Sequence, residues 1–298
     1  IDHKLSDRMI NFLDCGTDWL YVKNNRPEGK YCSFVKSKSK NKLGIAYSVF
    51  DDLDHLKQSL LSVRDNTDYI IITYQNVSYT GRQASYNIYA KLCELRKEGL
   101  VDDIQEYKPS DKLSIKSNEI RKRNLGLEIC RQHFCTHYIT MDCDEIFIPE
   151  QFKQAKEIVY DYDYKASFIY SQTYYKDKHH VISPAEKYHI PFIYKIMDES
   201  KLKLDAKIEG IVADKSRKMS DIGNDLIIFE RDFIELHHLC YVRENILNKL
   251  QNKASGLTKE RIDKIVKSYE DFSSWKLNQK VYTENGEFYV KRILVSAI

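Results

Sequence analysis

Between residues 43 and 141 the hydrophobic period switches back and forth, and that alternation limits the folds open to this chain. LGIAYSVF (43–50), DYIIITY (68–74) and HYITM (137–141) are apolar runs of strand length, and DDIQEY (102–107) is a shorter, more polar one. A strand with no polar alternation is one buried on both faces. The stretches between them repeat their apolar residues every three to four positions. Leu53, Leu56, Leu60 and Val63 form one such set; Ala84, Ile88, Leu92 and Leu95 form another, closed by Gly99 in the position that favours a left-handed residue. A longer helix is predicted from Lys116 to Phe134, with Ile120, Leu127, Cys130 and Phe134 turned inward. Asp51, Asp52 and Asp54 suit the first turn or cap of the first helix. Strand alternating with helix predicts a mostly parallel, doubly wound α/β sheet.

Such sheets bind ligands beyond the carboxyl ends of their strands. At one of those ends stands THYITMDCDEIF (136–147), an apolar strand that stops on Asp142, Cys143, Asp144 and Glu145. Carboxylates this close repel one another and are costly to bury unpaired. Asp-x-Asp occurs three times, at 52/54, 142/144 and 161/163, so context must decide among them. The first pair begins a helix and the third lies in a Tyr-rich helix end. Only Asp142 and Asp144 sit between apolar segments. Residues two apart in extended backbone face the same side, so these two can share one divalent ion, and hard oxygen ligands suit Mg²⁺ or Mn²⁺.

Composition removes some classes of function. Lys and Arg total 47 against 44 Asp and Glu, a net charge of +3, without the clustered excess of a nucleic-acid binder. That balance is compatible with an anionic small substrate or an anionic membrane surface. The seven cysteines lack a Cys-x-x-Cys pair, and Cys130, Cys135 and Cys143 lie in or beside apolar segments, as reduced cytosolic cysteines do. No apolar run approaches a membrane span and no signal peptide is read at the start. These features suggest a cytoplasmic protein, with peripheral association at the inner membrane face as a variant. Ile rather than Met at position 1 is read as a piece of a longer, multidomain chain.

After residue 149 the texture becomes mixed α+β. QFKQAKEIVYDY reads as a short helix. SFIYSQTYY, HIPFIYKIM, KIEGIVAD and LIIFE read as strands, and RENILNKLQN and TKERIDKIVKSYEDF as helices. Near the start, a short helix is expected around 5–13, and KSKSKNK (36–42) reads as a solvated turn.

NEIRKRNLGLEICRQHFCTHYITMDCDEIF (118–147) resembles the nucleotide-binding half of GT-A-fold glycosyltransferases of the family-2-like kind. Those enzymes carry a basic helix with Arg-Asn-x-Gly, then a strand, then Asp-x-Asp. Arg123, Asn124 and Gly126 match the first element, and Asp142 and Asp144 the second. IAYSVFDDLDHLKQSLLSV (45–63) is similar to the opening unit of that Rossmann-type fold, with Phe50 and Asp51 where the strand end meets the base. ELHHLCYVRENILNKLQNKAS (235–255) resembles the element whose His approaches the metal. TYQNVS (73–78) departs from the family, which often shows an Asp pair there; Gln75 or Asn76 could hydrogen-bond a uracil or guanine edge.

The resemblance implies an N-terminal extension (1–42), a catalytic domain (43–255) with a nucleotide-binding half (43–148) and an acceptor half (149–255), and a C-terminal helical extension (256–298). It implies a UDP- or GDP-sugar donor, a Mn²⁺ or Mg²⁺ ion, a saccharide or lipid-linked acceptor and no nucleic acid, in capsule or other surface polysaccharide synthesis. Asp142 and Asp144 would bind the ion as a Lewis acid for the leaving diphosphate. His237 and His238 would face opposite ways in a strand, His238 completing the metal shell and the other serving structure. Arg121, Lys122 and Arg123 would meet phosphate, although Lys122 is expected on an ordinary solvated face. Arg243 and Lys249 could meet phosphate or simply lie on the surface. Glu145, Asp214 and Glu209 are the acids considered for taking the acceptor's proton. Three other readings compete: a metal-dependent phosphohydrolase, an inactive binding module, and a nucleotidyltransferase. A Gly-rich basic loop would mark the last, and VFDDLDHL (49–56) has none.

Overall fold

The structure, a computed structural model, describes residues 19–26, 29–36, 41–51, 53–220, 222–252, 257–274, 276 and 278–293. The expected helix near 5–13 and Asp52 lie outside the described residues. The chain divides into two units, residues 1–41 and 42–298. The described part of the first is an antiparallel hairpin of β1 (Trp19–Arg26) and β2 (Gly29–Lys36), in register from Trp19↔Lys36 to Arg26↔Gly29.

The second unit is the expected α/β fold. β3 (Leu43–Val49), β4 (Tyr69–Tyr74), β5 (Asp103–Glu106) and β6 (His137–Met141) are parallel, in the spatial order β5-β4-β3-β6. The chain therefore runs outward from β3 and returns to its other side at β6, which creates a switch point at the carboxyl ends of those two strands. The crossovers are α1 (Leu56–Val63), α2 (Ile88–Lys97) and α3 (Ile115–Gln132). Alternate strand residues explain the unbroken apolar runs. Ile45, Tyr47, Val49, Ile70 and Ile72 pack with Leu56, Leu60 and Leu92, while Ala46, Ile71 and Tyr138 pack with Leu127 and Cys130 of α3. Both faces of β3, β4 and β6 are covered, so their sequences are largely apolar throughout.

Gly126 lets α3 lie close on β3. A Cβ at that position would stand 2.5 Å from the Cβ of Ala46, and neither backbone can yield without moving a whole element. Gly126→Ala should therefore lower stability by about 1–3 kcal/mol, although alanine gains about 1 kcal/mol of helix propensity over glycine. A shift of the urea midpoint to lower concentration is the expected result; a rise would mean that the helix moves away at little cost.

Beyond β6, β7 (Glu145–Ile146) and α4 (Pro149–Asp161) lead into a mixed region. β8 (Ala166–Tyr175), β9 (Asp177–Ser183) and β10 (Ile190–Lys195) continue the sheet, β10 antiparallel to both β6 and β8. β11 (Leu226–Ile228) and β12 (Glu235–Tyr241) run parallel to β8, and β12 also pairs antiparallel with β7, setting His238 opposite Glu145. α5 (Ile246–Asn252) and α6 (Lys259–Glu270) follow, and then β13 (Gln279–Thr283) and β14 (Gly286–Arg292) form a hairpin that adds to β9. The C-terminal segment thus supplies sheet as well as helix.

Two sequence expectations are corrected. KIEGIVAD is not a strand: it is turn and loop, with Gly210 at φ 72° and one isolated bridge at Ala213. Phe134 does not face inward. α3 stops at Gln132, and Phe134, at φ 59°, reverses the chain and is 85% exposed.

Candidate functional site

A cavity of about 860 Å³ opens at the carboxyl ends of β3 and β6. Phe50 and Asp51 reach it from β3, Lys122 and Arg123 from α3, and the Asp142–Glu145 run from β6. Asp214 and Arg217 close one side, His238, Arg243 and Lys249 another, and the β13–β14 turn contributes Asn285.

Asp51 turns the chain into this cavity. Its φ is 46°, a left-handed conformation that aspartate tolerates better than most side chains. Oδ1 accepts from the backbone N–H of Ser85 at 2.9 Å and from the Ser85 hydroxyl at 2.5 Å. Oδ2 is buried and has no hydrogen-bond partner among the described residues.

The acidic run is neutralised from within the chain. Arg217 lies at the centre. Its guanidinium donates to both Glu145 oxygens at 2.9 and 2.6 Å and to Asp142 Oδ2 at 2.7 Å, and its Nε forms an ion pair with Asp214 at 3.1 Å. Arg123 donates to Asp142 at 3.1 and 3.2 Å, to Thr140 Oγ1 at 2.9 Å and to Glu119 at 3.2 Å. Burial would lift the Asp142 carboxyl, but the two guanidiniums outweigh it and hold the group below the usual carboxylate range. Burial pushes Glu145 up, against the pull of Arg217. Asp214 is held down, with Arg217, Arg123 and Ser216 overcoming its burial.

Asp144 has its own cations. Oδ2 accepts from Arg243 Nη2 at 2.9 Å and pairs with the Lys249 ammonium, while His238 Nε2 stands 3.6 Å from Oδ1. Burial opposes ionisation, yet Lys249, His238 and Arg243 hold this carboxyl well below its usual range. His238 is in turn carried well above its ordinary range, because Cys240 and Asp144 outweigh the burial that would lower it.

These contacts test the expected metal. All three hydrogen bonds to the Asp142 carboxylate come from guanidiniums, and Asp144 is bound by Arg243 and Lys249. Among the described residues there is no group of three or more His, Cys, Asp or Glu that could hold an ion. The side chains as they stand do not fit a divalent ion held by Asp142, Asp144 and His238. The repulsion that suggested a metal is resolved by arginine and lysine instead.

Other residues singled out from the sequence are dispersed. Lys122 is not solvated: it is buried, its ammonium donates to the Val49 carbonyl at 2.6 Å, and burial lowers its pKa to about 7. Arg121 is exposed and outside the cavity, since consecutive helical residues point about 100° apart. Asn124 is occupied by the Leu202 backbone, donating at 3.0 Å and accepting at 2.8 Å. Gln75 is buried and does not line the cavity, and Asn76 donates to Glu106 at 2.9 Å. Glu209 is exposed in the loop that replaces the expected strand. His238 lines the cavity, whereas His237 is core, its Nδ1 2.8 Å from the Tyr174 hydroxyl. Sequence reasoning missed the central place of Arg217 and the presence of Glu186, which accepts from the Thr173 hydroxyl at 2.9 Å and from Asn285.

No family model matches the chain, and no curated protein does. Solved structures similar to it include S. aureus TarS 1–349, at TM-score 0.44 and 10% identity over 77% of this chain and 71% of that one. The same protein in complex with UDP aligns at TM-score 0.34 and 10% identity over 44% of this chain and 36% of that one. GalNAc-T7 with UDP, GalNAc and Mn²⁺ aligns at TM-score 0.38 and 9% identity over 83% of this chain and 53% of that one. The chain therefore spans from about a third to under three quarters of the length of these neighbours. Among the described residues, no helix is long and apolar enough to cross a membrane.

Proposed function

We propose that the chain is a glycosyltransferase that takes a sugar from a UDP- or GDP-linked donor and passes it to a saccharide or lipid-linked acceptor. One observation carries this reading: Asp51 Oδ2, buried at the switch-point cavity without a hydrogen-bond partner among the described residues. A buried carboxylate oxygen is stable only if something donates to it, and a ribose hydroxyl or a base N–H supplies that donor. The basic groups opposite, Arg243 and Lys249, suit the diphosphate of the same molecule.

In the transfer, the bond between the anomeric carbon and the diphosphate oxygen breaks, and its electron pair leaves with the diphosphate. The acceptor hydroxyl oxygen forms the new bond and gives up its proton. Of the two acids considered most closely for that proton, both pair with Arg217, but Asp214 keeps 28% of its side chain exposed at the cavity, whereas Glu145 keeps 2% and has both oxygens taken by that guanidinium. We assign proton acceptance to Asp214 and the anchoring of Arg217 to Glu145. A setting in surface polysaccharide synthesis at the membrane face belongs to the same reading.

Asp51→Asn tests it. The isosteric amide keeps the Ser85 contacts but turns the unpartnered acceptor into a donor. Calorimetric titration should show UDP or GDP binding to the wild type, weakened about tenfold or more in the variant. No binding of either nucleotide to the wild type, or equal binding to both proteins, would overturn the reading.

A further inference from the structure

A diphosphate is a multiply charged anion, and a site that holds it needs fixed positive charge. At the β12–α5 side of the cavity that charge is built from the chain. Asp144, buried, gathers Arg243 Nη2 at 2.9 Å and the Lys249 ammonium on a single oxygen. Arg243 is fixed at both ends: Nε donates to the Cys240 carbonyl at 2.8 Å, and its own carbonyl accepts from the Tyr269 hydroxyl at 2.6 Å. Lys249 leaves 18% of its side chain exposed, and both cations line the cavity.

We propose that Arg243 and Lys249 hold the diphosphate of the nucleotide sugar and take the place of the divalent ion, so that the donor binds without metal; this rests on the nucleotide-sugar reading above. A guanidinium carries five N–H donors and an ammonium three, and phosphate oxygens would join or displace the partners these two cations already have. A divalent ion brought to Asp144 would instead have to sit against two cations already bound to it. Asp142 offers it no better place, because Arg123 and Arg217 take its oxygens. Asp144 is a positioning residue in this arrangement, with no contact to the donor of its own.

The test is calorimetric titration of UDP and of GDP into the full chain, once in EDTA and once in MnCl₂. The nucleotide that binds should do so in EDTA with a Kd within about twofold of its value in manganese. Inorganic pyrophosphate should compete with it in EDTA. Lys249→Gln should weaken binding in EDTA about tenfold, and Lys249→Arg should restore most of it. Binding that appears only with manganese overturns this proposal and leaves the nucleotide-sugar reading standing. Absence of binding in both buffers overturns both. Binding in EDTA that pyrophosphate does not compete, or that Lys249→Gln leaves unchanged in a folded variant, overturns the assignment to these cations. The competition experiment uses the wild type and decides the matter even if the variant does not fold.

Discussion

Arg217→Met is expected to cost about 3–5 kcal/mol of folding stability, the usual consequence of removing one partner from a buried charge network. Its guanidinium is the shared counter-charge of Glu145, Asp142 and Asp214. Methionine fills much of the same volume, so the loss is not chiefly one of packing. Asp142 keeps Arg123, and Asp214 keeps its Ser216 contacts, but Glu145 is left buried with only the Asp142 N–H donating to it among these partners. Against a typical total of about 5–15 kcal/mol, that loss is a large share of the protein's stability.

A pH signature separates lost charge from lost packing. In the variant, Glu145 has a folded pKa raised further above its unfolded value. A carboxyl raised in this way binds more protons folded than unfolded, so stability increases as pH falls through its folded pKa. Urea midpoints of wild type and variant should therefore converge between pH 7 and pH 5. A gap that stays constant across that range would show that the network is not what Arg217 supplies. Arg217→Lys should fall between the two, since an ammonium restores the charge but not the planar fork that meets both Glu145 oxygens.

What could be read from the sequence follows from the distance over which each feature is decided. β3, β4 and β6 were legible because burial on both faces leaves an unbroken apolar run, a property of the strand itself. β13 and β14 were not, because their buried residues, Val281, Thr283 and Val290, are few and alternate with exposed ones such as Lys280 and Glu287, and it is the pairing of β14 with β9 that joins the hairpin to the sheet. KIEGIVAD carries strand-like residues, yet Glu209 and Gly210 form a turn within it. Lys122 shows periodicity being overruled by residue type: it lies four residues before Gly126 and eight before Cys130, on the face that meets the sheet. At the site, the acids were visible because they are contiguous. Their counter-charges were not, since Arg217 comes from 75 residues beyond Asp142 and Lys249 from 105 beyond Asp144.

Acid should destabilise the protein before Asp142 and Asp144 are titrated, through two histidines that the site does not use. His137 packs against Tyr160 with ring centroids 4.5 Å apart, and His237 holds the Tyr174 hydroxyl at 2.8 Å. Each has a buried Nε2 with no hydrogen-bond partner among the described residues. Burial lowers both to about 4, with Lys195 adding to the effect at His137. An unfolded histidine takes its proton near pH 6.5. Between that value and 4 the unfolded chain therefore binds more protons than the folded one, and stability falls with pH. The full loss is about 3 kcal/mol for each ring, at roughly 1.4 kcal/mol per pH step. Asp142 and Asp144, held low, keep their contribution throughout this window and lose it only at lower pH. Glu145 and Glu235, raised by burial, run the other way and offset part of the loss. His238 acts on the opposite side: raised well above its ordinary range, it contributes fully below pH 6.5 and less as pH rises through its folded pKa. Stability should thus peak near neutrality, and urea midpoints should drop steeply between pH 6.5 and 4.5. His137→Phe should remove up to one proton's worth of that slope while keeping the contact with Tyr160. If the slope of the variant matched that of the wild type, the unfolded chain would not be taking up the proton that the buried ring refuses.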